Sequence, residues 1–164
     1  MKVGVLSDSH DHLDRLALAV QHLRDREVEL VLHAGDFIAP FTVPVLHRVG
    51  VPIRAVFGNN DGERIGLKAR FDALRHQLSE RPQAYKFSGK RFLLLHEPVA
   101  LEALEGSPHY DLVVYGHTHQ LDIRQTPSGA LLVNPGEVCG WVTGQAHCCV
   151  VDLSRRQVEV ISLT

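Results

Sequence analysis

Apolar runs and helical periodicity alternate in the first half of the chain. The runs at 2–7, 29–33 and 51–57 have the length and uninterrupted apolar character of strands buried on both faces of a sheet. Between 13 and 23, apolar residues recur every three or four positions, which predicts an amphipathic helix. A similar spacing predicts another helix over 64–78.

The second half of the chain is predicted to consist mostly of strands. The apolar segment 111–115 predicts a buried strand, and 98–105 predicts a short helix before it. Three other segments predict β-hairpins, because each has two strand-like stretches around a turn rich in Gly, Pro or Ser. These segments are 85–96, 121–134 and 146–163.

This order of elements predicts an α/β fold in which two packed sheets are flanked by helices, rather than one doubly wound sheet. Pro40 and Pro44 each predict a short helix after a proline turn, between the second and third strands. We find no linker, internal repeat or low-complexity segment, and therefore predict a single domain over 1–164.

Composition narrows the function only slightly. The formal charge of −2 shows no basic excess, so no nucleic-acid surface is indicated. No apolar run is long enough for a signal peptide or a membrane span, which predicts a cytoplasmic protein without a membrane partner. The three cysteines suit small buried residues better than a disulfide framework. Eleven histidines mildly favour a metal or hydrolytic site.

Polar side chains of metal-binding types follow the predicted strands. They are Asp8 and His10 in "SDSH", Asp36 in "AGD", Asn59 in "GNND", His96 after "FLLL", and His117 and His119 in "GHTH". Any one of them could be an ordinary turn residue. Ligands of open α/β sheets collect beyond the carboxyl ends of the strands, so side chains scattered in sequence can converge there.

The chemistry of this set favours transition metals. Carboxylates, an amide and imidazoles without thiolate suit Mn²⁺, Ni²⁺, Fe²⁺, Co²⁺ or Zn²⁺, of which we place Mn²⁺ first, better than Ca²⁺ or Cu(I). Seven ligands exceed the need of one ion, and two ions sharing a carboxylate would use them all. Two-metal sites activate water and clamp the oxygens of a phosphoryl group.

Five motifs in this order resemble the calcineurin-like metallophosphoesterases, and most closely their small YfcE-like phosphodiesterases. The resemblance runs from Met1 to about Gly144 and includes "VNPGEVCGWVTG". It implies a four-layer α/β/β/α sandwich of two mixed sheets between helices. It also implies a binuclear metal-dependent phosphodiesterase, in which a hydroxide bridging the two ions attacks the phosphorus of a small diester substrate.

The resemblance also implies a division of the ligands between the two ions. Asp36 bridges them in both sets. One ion is held by Asp8, His10, Asp36 and His119, and the other by Asp36, Asn59, His96 and His117.

Several positions near the predicted ligands carry further expectations. Much of the wider superfamily has a histidine where this chain has Asn60, and an asparagine cannot deliver a proton. We therefore predict that Asn60 positions a phosphate oxygen and that poor leaving groups react slowly. Asp61 is a second catalytic candidate, and its charge, with that of Glu63, predicts a preference for monoanionic diesters. Glu97 stands where glycine often follows the histidine in related sequences.

The sequence leaves one alternative function open. A subunit of the retromer complex resembles this fold and serves mainly in protein binding, so a catalytically weak scaffold is the alternative function. A nucleotide-binding module lacks support, because no glycine-rich phosphate motif follows any predicted strand.

Three further aromatic residues carry open expectations. Trp141 is either a packed core aromatic or an exposed contact in a homo-oligomer. His12 and His33 are candidates for orienting the ligands.

Overall fold

Eleven strands form two separate sheets in the computed structural model, which describes all 164 residues of the chain. The strands are β1 (Lys2–Leu6), β2 (Leu30–His33), β3 (Ile53–Val56), β4 (Gln77–Ser79), β5 (Gln83–Phe87), β6 (Lys90–Leu94), β7 (Leu112–Val114), β8 (Leu121–Gln125), β9 (Leu131–Pro135), β10 (His147–Asp152) and β11 (Gln157–Ser162). The helices are α1 (Leu13–Asp25), α2 (Thr42–His47), α3 (Arg64–Ala73) and α4 (Leu101–Glu105).

Both sheets are mixed. The first has the order β11-β10-β1-β2-β3-β4, in which β1 to β4 are parallel and the β10–β11 hairpin is antiparallel. The second has the order β5-β6-β7-β9-β8, in which β6, β7 and β9 are parallel. The three predicted hairpins are the antiparallel pairs β5–β6, β8–β9 and β10–β11.

Because side chains alternate along a strand, each strand of the first sheet contributes to two hydrophobic layers, one on each face. On β1, Val3 and Val5 face the second sheet, whereas Leu6 faces the helices α1 to α3. The same division continues on β2, where Leu30 and Leu32 lie between the sheets and Val31 packs under the helices. The predicted four-layer α/β/β/α sandwich is confirmed, although α4 covers a cluster of only five buried residues on the outer face of the second sheet.

Two elements differ from the sequence prediction. The helix expected over 64–78 ends at Ala73, because Arg75 adopts a positive φ of 58° and the chain then joins the first sheet as β4. Leu78 fits helical spacing equally well, and its burial comes instead from its place beside β3. A single helix, α2, replaces the two expected around the prolines, with Pro44 in its first turn, where no amide donor is needed.

Candidate metal centre

The loops that follow β1, β2, β3, β6 and β7 meet at one edge, where the carboxyl ends of the parallel strands of both sheets lie together. Backbone hydrogen bonds join these loops to one another. The amide of Asp8 donates to Gly35 at 3.0 Å, and the amide of Gly116 donates to His96 at 3.0 Å. The predicted ligand residues therefore lie on loops that hydrogen-bond to one another.

Two glycines allow these loops to approach so closely. A Cβ atom at Gly116 would lie 1.9 Å from Ser7 Oγ, and one at Gly58 would lie 2.0 Å from Asp36 Oδ1. At Gly116 the loop that carries Ser7 and Asp8 leaves no room for a side chain.

One group of side chains surrounds Asp8. Asp8 Oδ1 lies 3.5 Å from His119 Nε2 and 3.8 Å from His10 Nε2. The same His10 nitrogen lies 3.5 Å from Asp36 Oδ2. The imidazole rings of His10 and His119 stack with their centroids 5.2 Å apart. These four residues form the first half of the candidate centre.

The second half continues from the other side of Asp36. Its Oδ2 lies 3.5 Å from His96 Nε2, which in turn lies 2.7 Å from Asn59 Oδ1. Asn59 Oδ1 also lies 2.9 Å from His117 Nδ1. All seven predicted ligands thus form one continuous series of contacts, with Asp36 between the two halves.

Backbone strain is concentrated in the same residues. Five of the seven predicted ligands have positive φ angles, namely Asp8 (52°), His10 (41°), Asp36 (59°), His117 (69°) and His119 (60°). Each such conformation costs a non-glycine residue about 1 kcal/mol or more, and residues of this kind cluster at functional sites. The loops are therefore shaped to direct side chains inward at a cost in stability.

Unsatisfied polar atoms test whether the residues fit a metal. Asp8 Oδ1 and His10 Nε2 are buried and have no hydrogen-bond partner, although such atoms normally do. Two ligands about 2.1 Å from one ion lie about 3.0–3.5 Å apart at tetrahedral to right angles, which is close to the separations among Asp8, His10 and His119. The donor set fits a divalent transition metal.

Two of the candidate histidines have one ring nitrogen fixed by a hydrogen bond. Nδ1 of His96 donates to the carbonyl oxygen of Ala34 at 2.7 Å, and Nδ1 of His119 donates to Glu137 Oε2 at 2.7 Å. In both cases Nε2 faces the centre. A hydrogen bond at one ring nitrogen fixes the tautomer and orientation of a metal-binding imidazole.

The carboxylates and imidazoles of the centre shift one another's pKa values. Burial disfavours the charged form of Asp36, but hydrogen bonds from His96 and Asn60 outweigh burial and lower its pKa. Burial likewise opposes protonation of His96, and the Asp36 carboxylate overcomes this and raises the pKa of the imidazole. The site therefore favours a carboxylate at Asp36, the form that binds a cation.

The two non-metal candidates lie in different environments. Asn60 is exposed, and its amide Nδ2 and backbone N–H both donate to the Asp36 carboxylate at 2.8 Å. Asp61 is buried, and its carboxylate accepts backbone N–H groups from Asp36, Phe37, Ile38 and Gly58 at 2.6–3.1 Å. This arrangement favours an anchoring role for Asp61 over the catalytic one, since it ties the loops after β2 and β3 together.

The remaining charged neighbours are engaged elsewhere. Glu97 pairs with Arg81 at 3.0 Å, so its charge is balanced at the edge of the site. Arg64 lies 4.0 Å above the ring of Phe57 and pairs with Glu80, and is therefore not positioned as a phosphate clamp.

Sequence reasoning missed Glu137. This fully buried residue lies in the loop after β9, and its Oε2 accepts hydrogen bonds from His119 and, at 3.0 Å, from Cys139 Sγ. Burial opposes ionisation, yet hydrogen bonds from Cys139, His119 and Thr143 lower the pKa of Glu137 to about 2. The only sequence signal was one acidic residue inside the otherwise uncharged stretch "VNPGEVCGWVTG".

Cys139 lies close enough to His10 and His119 to be considered a ligand. Burial and the neighbouring Glu137 carboxylate raise the pKa of its thiol to about 12. Its Sγ donates a hydrogen bond to Glu137 Oε2 at 3.0 Å. Cys139 therefore contacts the carboxylate that supports His119.

His33 and Trp141 lie near the candidate ligands in different environments. His33 is buried, stacks on Phe37 with centroids 3.8 Å apart and accepts the Gly35 amide; burial lowers its pKa to about 3. Trp141 is 63% exposed, so the core interpretation is wrong, and its ring centroid lies 5.8 Å from that of His12 and 6.3 Å from that of His10.

This fold and this set of converging ligand types define a metallophosphoesterase domain. The profile of the calcineurin-like phosphoesterase superfamily domain matches residues 1–156, and the chain belongs to that superfamily. None of its helices is both long and apolar enough to cross a membrane.

Individual relatives agree with this assignment. The chain is 34% identical to the phosphodiesterase MJ0936 of Methanocaldococcus jannaschii over 99% of both sequences. The solved structure of an archaeal phosphodiesterase superimposes with a TM-score of 0.91 at 33% identity, again over 99% of both chains. The YfcE phosphoesterase of E. coli (TM-score 0.68, 20% identity, all of both chains) and Vps29 of Entamoeba histolytica (0.70, 16%, 99% of both) share the fold.

Proposed function

We propose that this protein is a binuclear metal-dependent phosphodiesterase that hydrolyses small diesters with water activated between two divalent ions. One observation carries the proposal, namely the two buried, unpartnered ligand atoms of Asp8 and His10 that face His119 and Asp36. The 34% identity to a phosphodiesterase along nearly the whole chain supports the choice of diesters.

The proposed ligand sets follow the two halves of the centre. Asp8, His10 and His119 would hold one ion and Asn59, His96 and His117 the other, with Asp36 shared between them. Mn²⁺ is the first choice for this oxygen and nitrogen set, and Ni²⁺, Fe²⁺, Co²⁺ or Zn²⁺ would also suit it. Bound ions would supply an activated water and neutralise the charge that develops on the phosphoryl oxygens.

Asn60 is proposed to contact the substrate. One N–H of its side chain is used by Asp36, which leaves the second free for a phosphate oxygen. An amide cannot protonate the departing alcohol, so diesters with good leaving groups should react fastest. Asp61 is proposed to act through the loops that it anchors.

The test is hydrolysis of bis-p-nitrophenyl phosphate by chelator-stripped protein before and after addition of Mn²⁺. We expect metal to restore activity, and we expect Asp36→Asn to lower the restored kcat by more than about 100-fold, because the shared carboxylate is lost. A dialkyl phosphate run in parallel should react far more slowly than the aryl diester.

A matched control is Asp25→Asn, which makes the same charge change at the exposed far end of α1. Its activity should equal that of the wild-type protein. Equal activity in Asp36→Asn, or full activity in the stripped protein, would contradict the proposal. Bound Mn²⁺ with no hydrolysis of any diester would favour the scaffold alternative, to which the Vps29 structures contribute only a shared fold.

A further inference from the structure

Glu137 is a buried carboxylate without a lysine or arginine partner. Its side chain is fully buried, and no lysine or arginine nitrogen lies within 4.0 Å of its carboxylate; the only ion-pair contact is with His119. An uncompensated charge in such a position would destabilise the folded protein. Its presence indicates that the surroundings are built to keep it charged.

Those surroundings consist of hydrogen-bond donors from one ligand and one loop. Oε2 accepts from His119 Nδ1 at 2.7 Å, from the Cys139 thiol at 3.0 Å and from the Trp141 amide at 3.1 Å. Oε1 accepts from the amide and hydroxyl of Thr143 at 2.6 and 2.7 Å. The Val142 amide contacts both oxygens.

We propose that Glu137 is the positioning residue that fixes His119 for metal binding and ties the loop of residues 141–143 to the metal centre. This inference rests on the metal centre proposed above. A carboxylate on the far nitrogen of an imidazole fixes its orientation and raises its basicity as a ligand. Its buried charge would also be compensated by the ion on the other side of the ring.

Oε2 of Glu137 accepts hydrogen bonds both from His119 and from the loop. An ion bound to His119 would restrict the motion of that side chain and, through their hydrogen bond, of Glu137. The hydrogen bonds from the Trp141–Thr143 amides to Glu137 would then open less often. Coupling between two sites is reciprocal, so an ordered loop should in turn favour metal binding. The loop places the exposed indole of Trp141 beside His10, at the rim of the site.

The first test is the Mn²⁺ affinity of Glu137→Gln by isothermal titration calorimetry on stripped protein. We expect affinity for the ion proposed to bind His119 to fall about 10–100-fold, the range for loss of a group that orients a ligand. The matched control is Thr143→Val, which removes one loop donor and keeps the bond to His119. Amide exchange in the loop should become faster, and through the coupling Mn²⁺ affinity should fall only slightly, by about twofold, because the bond to His119 remains.

Wild-type affinity in folded Glu137→Gln would overturn the inference while leaving the proposed function intact. A wild-type protein that bound no Mn²⁺ would instead overturn the centre itself and the inference with it. If Glu137→Gln does not fold, hydrogen–deuterium exchange of the wild-type protein decides. Exchange at Trp141–Thr143 should slow several-fold when Mn²⁺ is bound, and identical exchange with and without metal would overturn the coupling.

Discussion

The two halves of the candidate centre differ in burial. Asp8 is fully buried, and the side chains of His10 and His119 are each 14% exposed. In the other half, Asn59 and His117 are exposed, although His96 is not. Water can therefore replace a ligand atom in the exposed half far more readily than in the buried half.

The halves also differ in what supports their ligands. In the buried half, Glu137 accepts from His119, and the Ser7 hydroxyl donates to Asp8. In the exposed half, His96 is oriented by the neutral carbonyl of Ala34. Charge-assisted hydrogen bonds are roughly twice as strong as neutral ones. The comparison therefore predicts two ions of unequal affinity, the tighter one beside Asp8.

The largest effect is expected for Asp8→Asn. The substitution removes a charge from the buried half, where the His117 amide and the Ser7 hydroxyl both donate to the Asp8 carboxylate. We expect the tighter ion to be lost and kcat for bis-p-nitrophenyl phosphate to fall more than about 100-fold. Metal content after desalting and the rate measure the two effects.

Asp25→Asn again serves as the charge-matched control and should retain both ions. Two tightly held ions in Asp8→Asn would contradict the predicted difference between the halves, because metal binding in the buried half would then not depend on its only unshared carboxylate.

A smaller effect is expected for Asn59→Ala in the exposed half. Its neutral Oδ1 lies near solvent, so a water molecule can take its place at moderate cost. Affinity for the weaker ion should fall about tenfold, with the tighter ion unaffected. Calorimetric titration with Mn²⁺ resolves the two events. A larger loss from Asn59→Ala than from Asp8→Asn would reverse the assignment of tight and weak halves.

Sequence periodicity predicted most of the fold, because the apolar runs alternate with one-sided helices. It failed where local spacing is ambiguous. Leu78 continues the helical spacing of α3, and only its pairing with β3 makes it part of a strand. Contacts of that kind depend on partners far away in the sequence, which a local pattern does not contain.

For the site, the type of side chain was predictable and its support was not. The ligand candidates stand at strand ends, where motif order and residue chemistry mark them. Glu137 resembles an ordinary turn residue in the sequence, and Asp61 was predicted as a catalytic residue rather than an anchor. Both bind backbone amides that folding brings to them. Such amides are present in every segment of the chain, so no residue type signals them.

A smaller change in metal affinity is expected for a substitution at Ser7, within the buried half. Ser7 Oγ donates to Asp8 Oδ2, and Ser9 Oγ is equally buried but has no partner. Ser7→Ala therefore removes one hydrogen bond to a charged ligand, worth about 1 kcal/mol or slightly more, which corresponds to roughly fivefold weaker binding of the tighter ion. Ser9→Ala removes a hydroxyl that orients nothing and should bind Mn²⁺ as the wild-type protein does. Equal affinities in the two variants would show that the Asp8 carboxylate is held by the His117 amide and by its burial without the Ser7 hydroxyl, and the hydroxyl would then play no part in making this half the tighter one.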